Sequence, residues 1–324
     1  MKWFLDIDIP DPPRHVHHRD ALLLVGSCFT ENIGKLLGEL KFDVSYNPTG
    51  ILFDPHSVCR HLKDYVEQRV YTSNDLVKHD GVFHSWNHHS KFSNVDISKA
   101  VDGINDAVKV GSDALRRARW CVLTLGSSFA YRLKETNERV ANCHKVPQTA
   151  FAKEMMSSDE TFSWLQSVIN EAKAVNPKLE FILTVSPVRH SRDGLVENNR
   201  SKARLLEAVH RLVETHDFVH YFPAYELVVD VMRDYRFYDV DLVHPNYAAT
   251  QFVFEKFCKT WLDDDTLELL NEIKPIVTAA NHKPQHADTD AHRDFLKRQR
   301  ERTLALQRKT PWCDWSKELR YFES

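Results

Sequence analysis

The stretch Leu22-Leu23-Leu24-Val25-Gly26-Ser27-Cys28-Phe29-Thr30 constrains this chain more than any other. A short run of branched apolar residues reads as a buried strand, and the segment from about 30 to 40 has the periodicity of an amphipathic helix. Only Gly26-Ser27-Cys28 separates the two. In an open α/β sheet, so tight a turn presents its side chains at the carboxyl edge of the sheet, beside the positive end of the helix, where ligands of such folds bind. Two nucleophile types, Ser27 and Cys28, stand there side by side.

The same alternation continues along the chain. Apolar runs at 42–46, 120–125, 180–185 and 218–222 read as further strands, and helical periodicity fills 56–69, 95–117, 158–175, 197–214, 225–233 and 246–261. Five strands alternating with helices predict a parallel sheet covered on both faces. Residues 1–19, with three prolines, read as an irregular lead-in, 20–262 as the α/β domain and 263–324 as a helical extension. That extension holds a Pro/His/Asp-rich link at 281–290, a charged helix at 291–308 and a Trp-containing tail that docks on the body or on a partner. The piece 71–95 keeps no period and is expected to form a hairpin-like insertion near the mouth of the site.

Residues able to complete a site lie more than two hundred positions downstream. In Asp241-Leu242-Val243-His244, on a loop running into a helix, the carboxylate can orient the imidazole as a general base. Gly50, in the turn Asn47-Pro48-Thr49-Gly50, is either an oxyanion donor through its amide or simply a turn glycine. Gly126-Ser127-Ser128 repeats the strand-to-turn arrangement, so the amides of Gly126 or the hydroxyl of Ser128 are candidate oxyanion donors, with a small-residue turn as the alternative. Asn142 and His144 read as site lining or as a loop anchor; Cys143 beside His144 is no thiol and base pair, because sequence neighbours rarely face each other. After the strand at 180–185, Arg189 is placed to bind an acidic group or to pair with a surface carboxylate, and His190 competes with His244 for the base role.

Composition narrows the classes. A net charge of −3 gives no reason to expect nucleic acid or an anionic membrane as partner, and no apolar run is long enough to span a bilayer. With no secretory h-region in the first residues, a cytoplasmic location is expected. The six cysteines lack Cys-x-x-Cys spacing, which argues against a disulfide framework or zinc knuckle. His79, His84, His88 and His89 invite a metal reading, but no Cys, Asp or Glu stands at ligand spacing with the last three on a regular element, and no metal is expected.

Gly26-Ser27-Cys28-Phe29-Thr30 resembles the signature of the GSCFA-domain family, a branch of the SGNH (GDSL-like) hydrolase superfamily. The resemblance runs over about 20–260, through Asn47–Gly50, Thr124–Gly126, Asn142–Lys145, Thr184–His190, Asn198–Ala203 and Asp241–Pro245. It implies a three-layer α/β/α sandwich around a five-stranded parallel sheet (SGNH/flavodoxin-like). It also implies a nucleophile in the first block, oxyanion donors from a Gly and an Asn, and a closing Asp-x-x-His. Gly50, Asp241 and His244 match that pattern. Ser128 stands where the superfamily has Asn, and Cys28 rather than Ser27 falls at the nucleophile position. The expected chemistry is cleavage of an O-acyl or O-acetyl ester through an acyl-enzyme, with a small-molecule or carbohydrate ester as partner and no cofactor. Transfer of the acyl group to a carbohydrate and a non-catalytic binding module are the alternatives. Oligomeric state is not legible.

Overall fold

Successive residues of a strand face opposite sides of a sheet, so a strand apolar at every position must be covered on both sides. The first apolar run, β1 (Leu22–Gly26), is buried throughout in a computed structural model that describes residues 5–282, 284–286 and 288–323. Leu22 and Leu24 enter one core, and Leu23 and Val25 another. The other strands of the central sheet are β2 (Val44–Tyr46), β5 (Trp120–Leu125), β9 (Glu180–Val185) and β10 (Val219–Tyr221). They run in the order β10-β9-β5-β1-β2, parallel at every pairing. The chain therefore reverses its direction of growth between β1 and β5, and the crevice outside their carboxyl ends is where ligands of open α/β sheets bind.

Helices complete the three layers. Helices α1 (Cys28–Glu39) and α7 (Tyr247–Trp261) share the first core, and α2 (Pro55–Glu67), α3 (Ile97–Arg117), α4 (Ser158–Val175) and α5 (Leu195–Thr215) share the second. The helix expected over 225–233 is instead one α-turn, α6 (Ala224–Glu226), widening into a π-turn at Leu227–Val231 in which Leu227 and Val228 are both buried. The expected insertion is a short antiparallel hairpin, β3 (Val77–His79) with β4 (Val82–His84). Sequence reading missed a second antiparallel sheet, β6 (Phe129–Leu133), β7 (Arg139–Val140) and β8 (Phe151–Met155), because its strands are short and only partly buried.

The helical extension docks on the body. Helices α8 (Asp264–Asn281), α9 (Asp290–Lys309) and α10 (Ser316–Phe322) contribute Leu270, Ile273, Leu306 and Phe322 to the first core. Lys41 donates to both oxygens of the buried Glu318, at 2.8 and 2.7 Å. Residues 1–4 of the expected lead-in, and 283 and 287 of the expected link, lie outside the described residues. No helix among the described residues is long and apolar enough to cross a membrane.

Candidate active site

Gly26 makes the first turn possible. Its φ is +145°, and a Cβ there would stand 2.2 Å from the Thr124 carbonyl oxygen. The bare backbone lets β1 lie against β5 to its last residue, and Ser27 N–H then donates to Thr124 O at 3.2 Å. Asn47, buried after β2, braces the turn from the other side. Its Oδ1 accepts Gly26 N–H at 2.8 Å, and its amide nitrogen donates to Ser27 O at 3.5 Å. Ser27 is 1% exposed, with a hydroxyl that has no hydrogen-bond partner among the described residues, whereas Cys28 is partly exposed. As the first two residues of α1, Cys28 and Phe29 have no intrahelical acceptor for their amides, and the Ser27 side chain does not cap the helix.

The other turns meet this one through a continuous set of hydrogen bonds. Gly126 and Ser127 N–H donate to Phe53 O at 2.8 and 3.0 Å, and Ser186 N–H donates to Leu125 O at 2.8 Å. The ammonium of Lys202, buried on α5, donates to Gly126 O at 2.5 Å and Ser186 O at 2.6 Å, tying the ends of β5 and β9 together. Beyond β9, Arg189 N–H donates to Val243 O at 3.1 Å, which fastens the late loop to the same edge.

That loop is a tight turn with Leu242 at φ +57°. Asp241 Oδ1 accepts the amides of Val243 and His244 at 2.9 and 3.0 Å, and Oδ2 lies 2.6 Å from His244 Nδ1. The His244 hydrogen bond, helped by the two amides, lowers the Asp241 carboxyl to a pKa of about 2. The carboxylate thus fixes the imidazole with Nε2 as its free nitrogen, on a side chain that is 47% exposed. His244 makes no hydrogen bond to Ser27 or Cys28 among the described residues.

Several expectations require correction. Gly50 N–H is not free, because it donates to Asn47 O at 2.9 Å and closes its own turn. The amides at Gly126 and Ser127 are taken by Phe53, and that of Ser128 donates to Ser201 Oγ at 2.8 Å. Ser128 is wholly buried with an unpartnered hydroxyl. The thiol of Cys28 at the nucleophile position is pushed up by burial, and the Lys202 charge is among the influences that oppose this. Asn142 and His144 act as anchors: Asn142 Oδ1 accepts His144 N–H at 2.9 Å, and His144 Nε2 meets Ser85 O at 2.7 Å in the insertion. Arg189 pairs with no carboxylate among the described residues; its guanidinium lies 4.4 Å from the Tyr238 ring centroid and 4.9 Å from that of Tyr235. Burial, with Lys202 and Lys153 nearby, depresses His190 to about 4, which makes it a weak base.

A groove of about 360 Å³ opens along this edge, lined by Phe53, Phe129, Tyr131, Lys153, Arg189 and His190 among others. Sequence reading gave no role to Lys202, Ser201 or Asn198. Yet 198, 201 and 202 precede Leu205, Ala208, Val209 and Leu212 on the buried stripe of α5. Polar residues on an apolar stripe were the available signal. Burial lowers Lys202 to about 7, with the Cys28 thiolate opposing the shift. Away from the edge, His61 and Asp64 of α2 converge with His88, and these three can offer one ligand atom each to a metal.

The model described as "GSCFA family" matches residues 21–257, and that described as "GSCFA domain protein, C-terminal domain" matches 273–324. A search of the curated proteins found no match. Among solved structures, the chain is similar to a Clostridium thermocellum family 3 carbohydrate esterase at 10% identity and a TM-score of 0.33, over 78% of this chain and 98% of that one.

Proposed function

The chain belongs to the GSCFA family, and from that premise we propose that it is an SGNH-like hydrolase of O-acyl esters in which Cys28 is the nucleophile. The supporting observation is the Asp241–His244 couple, held on the sheet edge where the partly exposed Cys28 opens α1. Ser27 is the weaker candidate because its hydroxyl is buried.

In this reading the Cys28 sulfur attacks the ester carbonyl while His244 Nε2 takes the thiol proton. Asp241 holds the imidazole tautomer and stabilises the imidazolium. The amides of Cys28 and Phe29, at the positive end of α1, receive the oxyanion. His244 returns the proton to the departing alcohol, and water, deprotonated by the same imidazole, cleaves the thioester. The exposed His244 ring closes on Cys28 in the substrate complex, since catalytic hydrogen bonds often tighten only there. The aromatic and basic groove lining suits an acylated carbohydrate or another polar ester.

The missing hydrogen bond between His244 and Cys28 favours a second reading, a binding module that retains the edge as a pocket. Turnover of p-nitrophenyl acetate by the wild type, Cys28→Ala, Ser27→Ala and His244→Ala separates the two. Esterase chemistry at Cys28 predicts loss of at least 100-fold in Cys28→Ala and His244→Ala and little change in Ser27→Ala. Equal rates in all four remove it.

A further inference from the structure

We propose that His61, Asp64 and His88 form a zinc site that staples the insertion to α2, independently of any chemistry at Cys28. His61 and Asp64 stand one turn apart on α2, and His88 comes from the loop after β4. One ligand atom from each lies within 4.8 Å of the others, and all three residues are at most 2% exposed.

The surrounding hydrogen bonds prepare the nitrogens for a cation. His61 Nε2 lies 2.6 Å from the Asn87 carbonyl oxygen, so it carries the proton and leaves Nδ1 as a lone pair. His88 Nδ1 lies 2.9 Å from Ser85 Oγ; with the ring donating there, Nε2 is a second lone pair. Both His61 Nδ1 and His88 Nε2 are buried without a hydrogen-bond partner among the described residues. The Tyr71 hydroxyl donates to Asp64 Oδ2 at 2.6 Å, fixing the carboxylate. Imidazoles oriented by a carbonyl or hydroxyl on the far nitrogen, with a carboxylate beside them, are the donor set of zinc. Ligand atoms around a tetrahedral zinc sit about 3.3 Å apart, given bonds of about 2.0 Å, so small rotations of these side chains close the set. Water is then left as the fourth ligand.

The ion would have a structural consequence. His88 is followed by His89, whose Cβ a side chain on Gly50 would meet at 2.3 Å. Fixing His88 to α2 therefore seats the insertion on the turn after β2, next to the candidate active site.

Full-length protein stripped with a chelator and dialysed is titrated with zinc and, separately, with cobalt(II). The wild type is expected to take up one zinc per chain, to show the visible absorption of tetrahedral cobalt, and to unfold at a higher temperature when loaded. His88→Gln and Asp64→Asn should each bind at least tenfold more weakly and lose the thermal shift, while His84→Gln, in the same insertion but outside the cluster, keeps both. Stripped wild type that ignores zinc, or uptake that persists undiminished in His88→Gln and Asp64→Asn, overturns the proposal. Where one of these variants fails to fold, His61→Gln removes another ligand of the same set and gives the same test.

Discussion

At the scale of single residues, two positions fix the geometry of the edge. Gly26 has no alternative, since its positive φ and the 2.2 Å approach to Thr124 O leave no room for Cβ. Gly26→Ala should destabilise the protein by ~2 kcal/mol or more, read from urea midpoints, because a strained backbone and a parted β1–β5 end act together. Lys202 is the second. Its buried ammonium bridges Gly126 O and Ser186 O and partly offsets the burial that raises the Cys28 thiol. In Lys202→Met the thiol should therefore titrate higher, with slower alkylation by iodoacetamide below about pH 7, where the Lys202 amine carries its charge. An unchanged pH profile of alkylation would show that the two groups do not sense each other.

At the scale of elements, α10 is held to the body by Phe322 in the first core and by a buried ion pair between Lys41 and Glu318. The Lys41 and Glu318 side chains are 11% and 2% exposed, and removing one partner leaves a buried charge unpaired. Glu318→Ala is expected to cost about 3–5 kcal/mol, whereas replacing both residues with Met recovers much of the loss. A Glu318→Ala protein as stable as the wild type would mean that α10 does not depend on this contact. The turn holding Asp241 and His244 shows the converse. The hydrogen bonds of the Asp241 carboxylate reach no more than three positions along the chain, and so the couple is legible as Asp-x-x-His from the sequence alone.

Across the whole molecule, burial of titratable groups sets the response to acid. His56 and His190 have pKa values depressed to about 4, mainly by burial, against 6.5 when unfolded. Between those values the unfolded chain binds protons that the folded one refuses, so stability rises with pH across the window. The contribution is complete above about pH 6.5 and is lost as pH falls toward 4, on the order of 2–3 kcal/mol for each group. Urea denaturation at pH 7.5, 6 and 5 should show this slope, flattened in His56→Gln. An identical slope in the variant would assign the acid sensitivity to other groups.

The amino-acid sequence by itself determined the alternation of buried strands and amphipathic helices, the turn that places Ser27 and Cys28 at a helix start, and the Asp241–His244 couple. Each of these depends on periodicity or on contacts between near neighbours, which a linear pattern records. Only the tertiary structure decided which amides remain free and which buried groups meet. Gly50 and Gly126 were candidate oxyanion donors, but their amides are taken by Asn47 O and Phe53 O, and the Ser128 hydroxyl, standing where the pattern has Asn, is wholly buried while its amide donates to Ser201 Oγ. Phe53 and Ser201 reach the edge from separate segments, and so do Lys202 on α5 and the His88 that joins His61 and Asp64. A hydrogen-bond donor has one best acceptor at a time, and which acceptor it finds is settled by packing between segments far apart in the chain.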